Sequence, residues 1–200
     1  MTQTAELRIP AAAVQLWRFI SADESKQAIN YLLVERHLGE WVAVATDGCR
    51  LVKVSWANDS AEDLPDGRLY LSQHVLKRLA ALSKKSDVIL TVRDGAAMVT
   101  TKQNTSVLVE LGDPSKIRYP DYNQVIPPQG TDCANTTCTG VNPQYLAEMS
   151  DHARKYVLDP KFPLHIDLEF WSGPLSPLVF SARSKKEGLQ ATYIIMPVKI

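Results

Sequence analysis

Cysteine is scarce in this chain of 200 residues. Cys49, Cys133 and Cys138 are the only three, an odd number with no CxxC pair. That excludes a disulfide-stapled scaffold and disfavours a zinc site, leaving reduced thiols in a cytoplasmic protein as the expectation. Excess charge of either sign is lacking too, since Lys plus Arg (22) equals Asp plus Glu (22). No global field therefore pulls the chain onto nucleic acid or anionic lipid, and any contact with DNA must rest on a local basic face. No apolar run approaches the ~20 residues of a membrane helix. The start, Met1 to Glu6, lacks the basic residues and apolar stretch of a signal peptide. Phosphate-binding glycine loops, nucleophile elbows and HExxH helices are missing as well, so neither an enzyme nor a cofactor is expected. His165, Asp167 and Glu169 alternate along one stretch and would share a face, as metal ligands do. The intervening Leu164, Ile166, Leu168 and Phe170 make this a half-buried strand with a polar outer side, and no metal is expected there.

What is present is the composition of an ordinary globular chain, with 45% hydrophobic residues. Its most informative stretch is Val44 to Leu51, which reads as a strand, an Asp47-Gly48 turn and a second strand opening on Arg50-Leu51. Asp-Gly supplies the positive φ angles of a two-residue hairpin loop.

Around it the same order of elements comes three times. Leu7 to Ile9 is a short strand, and Pro10 suits the first turn of a helix striped by Val14, Leu16, Trp17 and Ile20. Strands over Asn30 to Glu35, Trp41 to Thr46 and Arg50 to Trp56 follow, then a polar loop over 58–67. The second copy has a strand from Arg68 to Leu71, a helix capped by Ser72 and striped by Val75, Leu76, Leu79 and Leu82, and strands at 87–93, 97–102 and 106–111. Residues 114–135 carry four prolines and little periodicity, which is linker composition. The third copy has a strand from Thr137 to Val141, then a helix capped by Asn142 with Pro143 at its first position. Tyr145, Leu146, Met149 and Ala153 stripe that helix, and strands follow at 163–170, 177–183 and 189–198. Strand, helix, three strands is thus an internal repeat of about 60 residues, each unit too small to bury a core alone.

The repeat resembles the bacterial β sliding clamp family, the processivity factors of replicative DNA polymerase. Three segments carry the resemblance: Val44 to Leu51, Tyr119 to Pro127 and Ala191 to Ile200. It implies an α+β DNA-clamp fold with antiparallel sheets outside and helices on one face. Residues 1–113 would form one complete domain of two units, 114–135 a linker, and 136–200 a half domain. The family builds its ring from six units per chain and two chains. Three units here would need four chains for the same ring, so a homo-oligomer is expected.

The resemblance also implies a hydrophobic pocket for short Gln-Leu-containing peptides from polymerase, loader or repair proteins. Its members here would be Ile29, Thr46, Gly48, Cys49, Arg50, Leu51, Pro120, Gln124, Val125, Asn142, Tyr145, Ile194, Met196, Pro197, Val198 and Ile200. Cys49, Gln124 and Lys199 stand where the family often has His, Arg and Arg. The residue types suit peptide capture, since an aliphatic floor takes apolar anchors while Arg50, Asn142 and the Tyr145 hydroxyl can hold polar groups. Any one of these apolar residues alone would read as plain core, and it is their joint order that favours a pocket. Lys77, Arg78, Lys84, Lys85, Arg154 and Lys155 lie on or beside the second and third helices and would face duplex DNA, touching phosphates without reading bases. Ordinary solvation explains such helix-borne cations equally well.

Overall fold

A computed structural model of the chain describes residues 5–57, 67–83, 85–93, 96–126, 141–159, 167–170, 177–184 and 188–197. The first unit comprises β1 (Ala5–Ile9), α1 (Ala11–Val14), β2 (Tyr31–His37), β3 (Glu40–Thr46) and β4 (Arg50–Trp56). The second comprises β5 (Arg68–Ser72), α2 (Gln73–Ser83), β6 (Val88–Arg93), β7 (Ala96–Thr101) and β8 (Ser106–Glu110). The third comprises α3 (Pro143–His152), β9 (Asp167–Phe170), β10 (Leu178–Arg183) and β11 (Gln190–Ile195). The strand expected at 137–141 lies outside the described residues apart from Val141, as do Lys84, His165, Val198 and Ile200.

Local chemistry accounts for the helix starts. Ser72 Oγ accepts from the Val75 amide at 3.3 Å, and Asn142 Oδ1 accepts from the Gln144 amide at 2.9 Å. Pro10 stands one place earlier than expected, as the cap rather than inside the turn, with φ −66° and ψ 152°. The first helix is also shorter than its stripe suggests, because after Val14 it tightens into a 3-10 turn, Gln15–Phe19.

The strands form two antiparallel sheets, one in the order β1-β6-β7-β8 and one in the order β5-β2-β3-β4-β11-β10-β9. The first strands of units one and two are exchanged: β1 pairs with β6 of the second unit, and β5 with β2 of the first. The third unit joins the first by main-chain pairing of β11 with β4, Gln190 opposite Ser55 through to Ile195 opposite Arg50.

The two sheets differ in what covers them. In β6, Val88, Leu90 and Val92 are buried and Ile89 and Arg93 exposed, the alternation of a sheet with one wet face. β3 and β4 are buried almost throughout. One face packs on the helices, with Leu16, Phe19, Leu76, Leu79, Met149 and Tyr193 among the main core. The other face carries a second cluster of Leu33, Val44, Leu51, Tyr70, Val179 and Ile194, closed by Tyr119, Tyr122 and Ile126. The stretch that composition marks as linker is therefore, over 114–126, a strap lying across the sheet. Tyr119 Oη donates to the Val44 carbonyl at 3.0 Å, and Tyr122 Oη donates to the buried Glu35 carboxylate at 2.7 Å. Gly112 starts the strap where a Cβ would come within 2.6 Å of Ile117 and 2.9 Å of Tyr70, so only glycine fits.

Candidate functional site

The turn after β3 is built from its own side chains. The main-chain bond closing it runs from the Asp47 amide to the Arg50 carbonyl, so the central pair is Gly48-Cys49 rather than the expected Asp47-Gly48. Of the central pair only Gly48 has positive φ, at 94°. Thr46 Oγ1 donates to the Arg50 carbonyl at 2.7 Å, and Asp47 Oδ1 accepts from the amides of Cys49 (2.9 Å) and Arg50 (3.1 Å). The chain end is fastened to the same turn, since the Met196 amide donates to the Cys49 carbonyl at 2.9 Å.

Beside this turn opens a cleft of about 200 Å³ lined by Ile29, Thr46, Gly48, Arg50, Leu51, Pro120, Asp121, Tyr122, Val125, Ile194 and Met196. Leu51 and Ile194 are cross-strand partners in the β4–β11 pairing and form a buried floor. Val125 and Met196, each 38% exposed, stand at the mouth. Nine residues expected from sequence meet here, drawn from the first unit, the strap and the third unit. Asp121 and Tyr122 were not anticipated; their signal was the Tyr-Pro-Asp-Tyr run itself. Cys49, Gln124, Asn142, Tyr145 and Pro197 lie outside the lining. Gln124 reaches back to Asp121 at 3.3 Å, and Asn142 is occupied in capping α3.

Arg50 ties the cleft wall to the third unit. Its side chain is 7% exposed, with Nε donating to Asp47 at 3.0 Å, Nη1 to Glu148 at 2.6 Å and Nη2 to the Arg18 carbonyl at 3.3 Å. The guanidinium sits between two rings, 4.9 Å from the centre of Phe19 and 4.5 Å from that of Tyr145. Burial pushes the Glu148 carboxyl up, but hydrogen bonds from Arg50 and Gln144 outweigh it and hold the group below its usual range. Deeper in the joint, His152 bridges Tyr193 Oη (2.8 Å) and the Ala12 carbonyl (2.9 Å). A carbonyl only accepts, so Nε2 carries the proton and Nδ1 accepts from the tyrosine. Burial pushes this imidazole down to about 4.

The expected DNA-facing cations do not form one uniform stripe. Lys77 is exposed and lies 5.3 Å from the Trp17 ring centre, with the exposed Arg18, missed from sequence, at the same distance. Lys85 is exposed in a left-handed conformation, φ 71°. Arg78 lines a different groove, under β8. Arg154 and Lys155 are both paired with Asp151, at 2.8 and 2.6 Å. Among the described residues no group of three His, Cys, Asp or Glu side chains could hold a metal ion, and no helix is long and apolar enough to cross a membrane.

No protein-family model and no curated protein sequence matches the chain. Solved structures do. The DNA polymerase III β subunit of Thermotoga maritima superposes with a TM-score of 0.66 at 13% identity, over 98% of this chain and 66% of that one. The sliding clamp of Caulobacter crescentus gives 0.69 at 15% identity, and that of Bartonella birtlesii, bound to griselimycin, 0.69 at 16%, with the same coverage. The chain thus spans slightly less than two thirds of the length of these proteins, and its fold is theirs.

Proposed function

We propose that this chain, carrying the sliding-clamp fold, tethers polymerase or repair proteins to DNA in the cytoplasm by capturing a short peptide of the Gln-Leu type in the cleft between the first and third units. The observation that carries the reading is the cleft itself: an aliphatic floor, a flexible Met196 at the mouth and a wall held rigid by the internally bonded Thr46 and Arg50. An anchor the size of leucine buried there contributes ~1.5–3 kcal/mol. Two anchors, less the cost of ordering the peptide, put one site at about micromolar affinity. Leu51 is too buried to test without harming the core, whereas Met196 and Val125 are not. Calorimetry with a Gln-Leu peptide should give saturable binding that Met196→Glu and Val125→Glu each abolish while circular dichroism stays unchanged. Undiminished affinity in both variants overturns the assignment.

A second reading is a clamp-like peptide-binding module that does not encircle DNA and competes for, or adapts, clamp-binding motifs. The balanced charge and the pairing of Arg154 and Lys155 with Asp151 favour it. Retention on closed circular DNA, with release when the circle is cut, supports encirclement; equal behaviour on both supports the module.

A further inference from the structure

The cleft lining holds two charged side chains, Arg50 and Asp121, and both are committed within the fold. Arg50 serves Asp47, Glu148 and the Arg18 carbonyl. The carboxylates behind it are occupied as well, Asp47 by the amides of Cys49 and Arg50, and Glu148 by the Gln144 side chain at 2.9 Å. Asp121 Oδ1 accepts from the Asn123 amide at 3.1 Å and Oδ2 from the Gln124 side-chain amide at 3.3 Å. These partners are neutral, and Asp121 enters none of the ion pairs among the described residues, so the strap side of the cleft stays negative.

Lys26, which the sequence did not single out, is placed differently. It is exposed and also enters none of those ion pairs. Its Nζ stands 3.9 Å from where a Cβ on Gly48 would be, next to the Ile29 Cδ1 atom at 3.8 Å. Gly48 has φ 94° and no side chain, so the ammonium overlooks a bare piece of cleft wall that a peptide can approach closely. The Asp23 carboxylate in the same loop is taken up by the Ser25 amide at 3.0 Å and the Ser25 hydroxyl at 2.6 Å. The backbone under Lys26 is fastened on both sides. Its amide donates to the Asp23 carbonyl at 3.0 Å, its carbonyl accepts from the Ile29 amide at 2.9 Å, and the Ser21 amide closes the loop on the Ile29 carbonyl at 3.2 Å. The rim is therefore positive beside Gly48 and negative along the strap.

We propose that Lys26 determines specificity in the cleft by pairing with an acidic side chain that flanks the apolar anchors of the bound peptide. Asp121 repels the same group on the strap side, so the two charges together fix the direction in which the peptide lies. The inference rests on the peptide-capture reading of the cleft. An ion pair at so exposed a rim adds about two- to fivefold in affinity at low salt.

Calorimetry on the whole chain at low salt tests it with three Gln-Leu peptides whose ends are blocked: one with Glu before the anchors, one with Glu after them, and a control with Gln at both places. One acidic peptide should bind about two- to fivefold tighter than the control, and the other no tighter. That preference should vanish in Lys26→Ala and at high salt. In Lys26→Glu it should pass to the peptide carrying Lys in place of the favoured Glu, with circular dichroism unchanged throughout. Equal affinities for the three peptides, a gain at both placements, or a gain that survives Lys26→Ala overturns the proposal and leaves peptide capture standing. Failure of all three to bind the native chain overturns peptide capture itself, and this inference with it.

Discussion

Arg50 shows what a single side chain contributes to this molecule. Its planar fork serves Asp47, Glu148 and the Arg18 carbonyl at once, while two rings cover its faces. Lysine would keep the charge but not the fork or the stacking. Arg50→Lys is therefore expected to cost about 1–3 kcal/mol in urea unfolding, below the full cost of breaking a buried pair because Glu148 is 38% exposed. Peptide affinity should fall as well, since the cleft wall loses its brace. A variant as stable as the native chain would show that the network adds nothing. The resemblance placed Arg50 in the wall from sequence alone, on the Asp-Gly-Cys-Arg-Leu run. Its partner Glu148 is 98 positions away, and helix periodicity says which face a residue occupies but not which distant charge it meets.

Among the elements, α3 and the strap define the joint, and each carries a buried polar residue that composition could not rank. His152 is neutral and holds α3 to α1 and β11. Its folded pKa, about 4, lies below the 6.5 of the free side chain, so between these values the unfolded chain binds the extra proton. Stability should thus be full above about pH 6.5 and fall as pH drops towards 4, by about 3 kcal/mol from this group alone. Urea midpoints at pH 7 and 4.5 check it, and His152→Gln should flatten the difference. An equally steep loss in that variant would assign acid sensitivity to other groups. The strap was less legible. Four prolines and weak periodicity read as linker, yet Tyr119 and Tyr122 pack on the sheet and spend their hydroxyls on Val44 and Glu35. Aromatic burial in irregular backbone has no period to detect. The strap is also why β3 and β4 are buried on both faces, Lys53 of β4 lying only 5.7 Å from the Tyr122 ring centre.

For the molecule as a whole, the three repeated units could be read directly from element order, but not their strand exchange, because pairing between distant strands leaves no local trace. Charge is likewise distributed in a way that counting could not reveal. Arg154 and Lys155 are compensated by Asp151, whereas Lys77 and Lys85 make no ion pair within 4 Å among the described residues. If the helices face DNA, Lys77→Ala with Lys85→Ala should lower the slope of log affinity against log salt by about 1 for each phosphate no longer neutralised. Arg154→Ala with Lys155→Ala should change it less. Fluorescence anisotropy over a salt series measures both, and the reverse order would move the basic face to the third unit. The β4–β11 joint has a separate consequence for how such a protein can diverge. The first and third units are riveted by peptide groups, which every sequence possesses, so the attachment itself makes little demand on residue identity. Val125 and Met196, exposed at the mouth of the cleft, can vary in shape without disturbing the packed floor of Leu51 and Ile194. An architecture joined in this way can be kept while most side chains change, and the same fold is found at 13% to 16% identity.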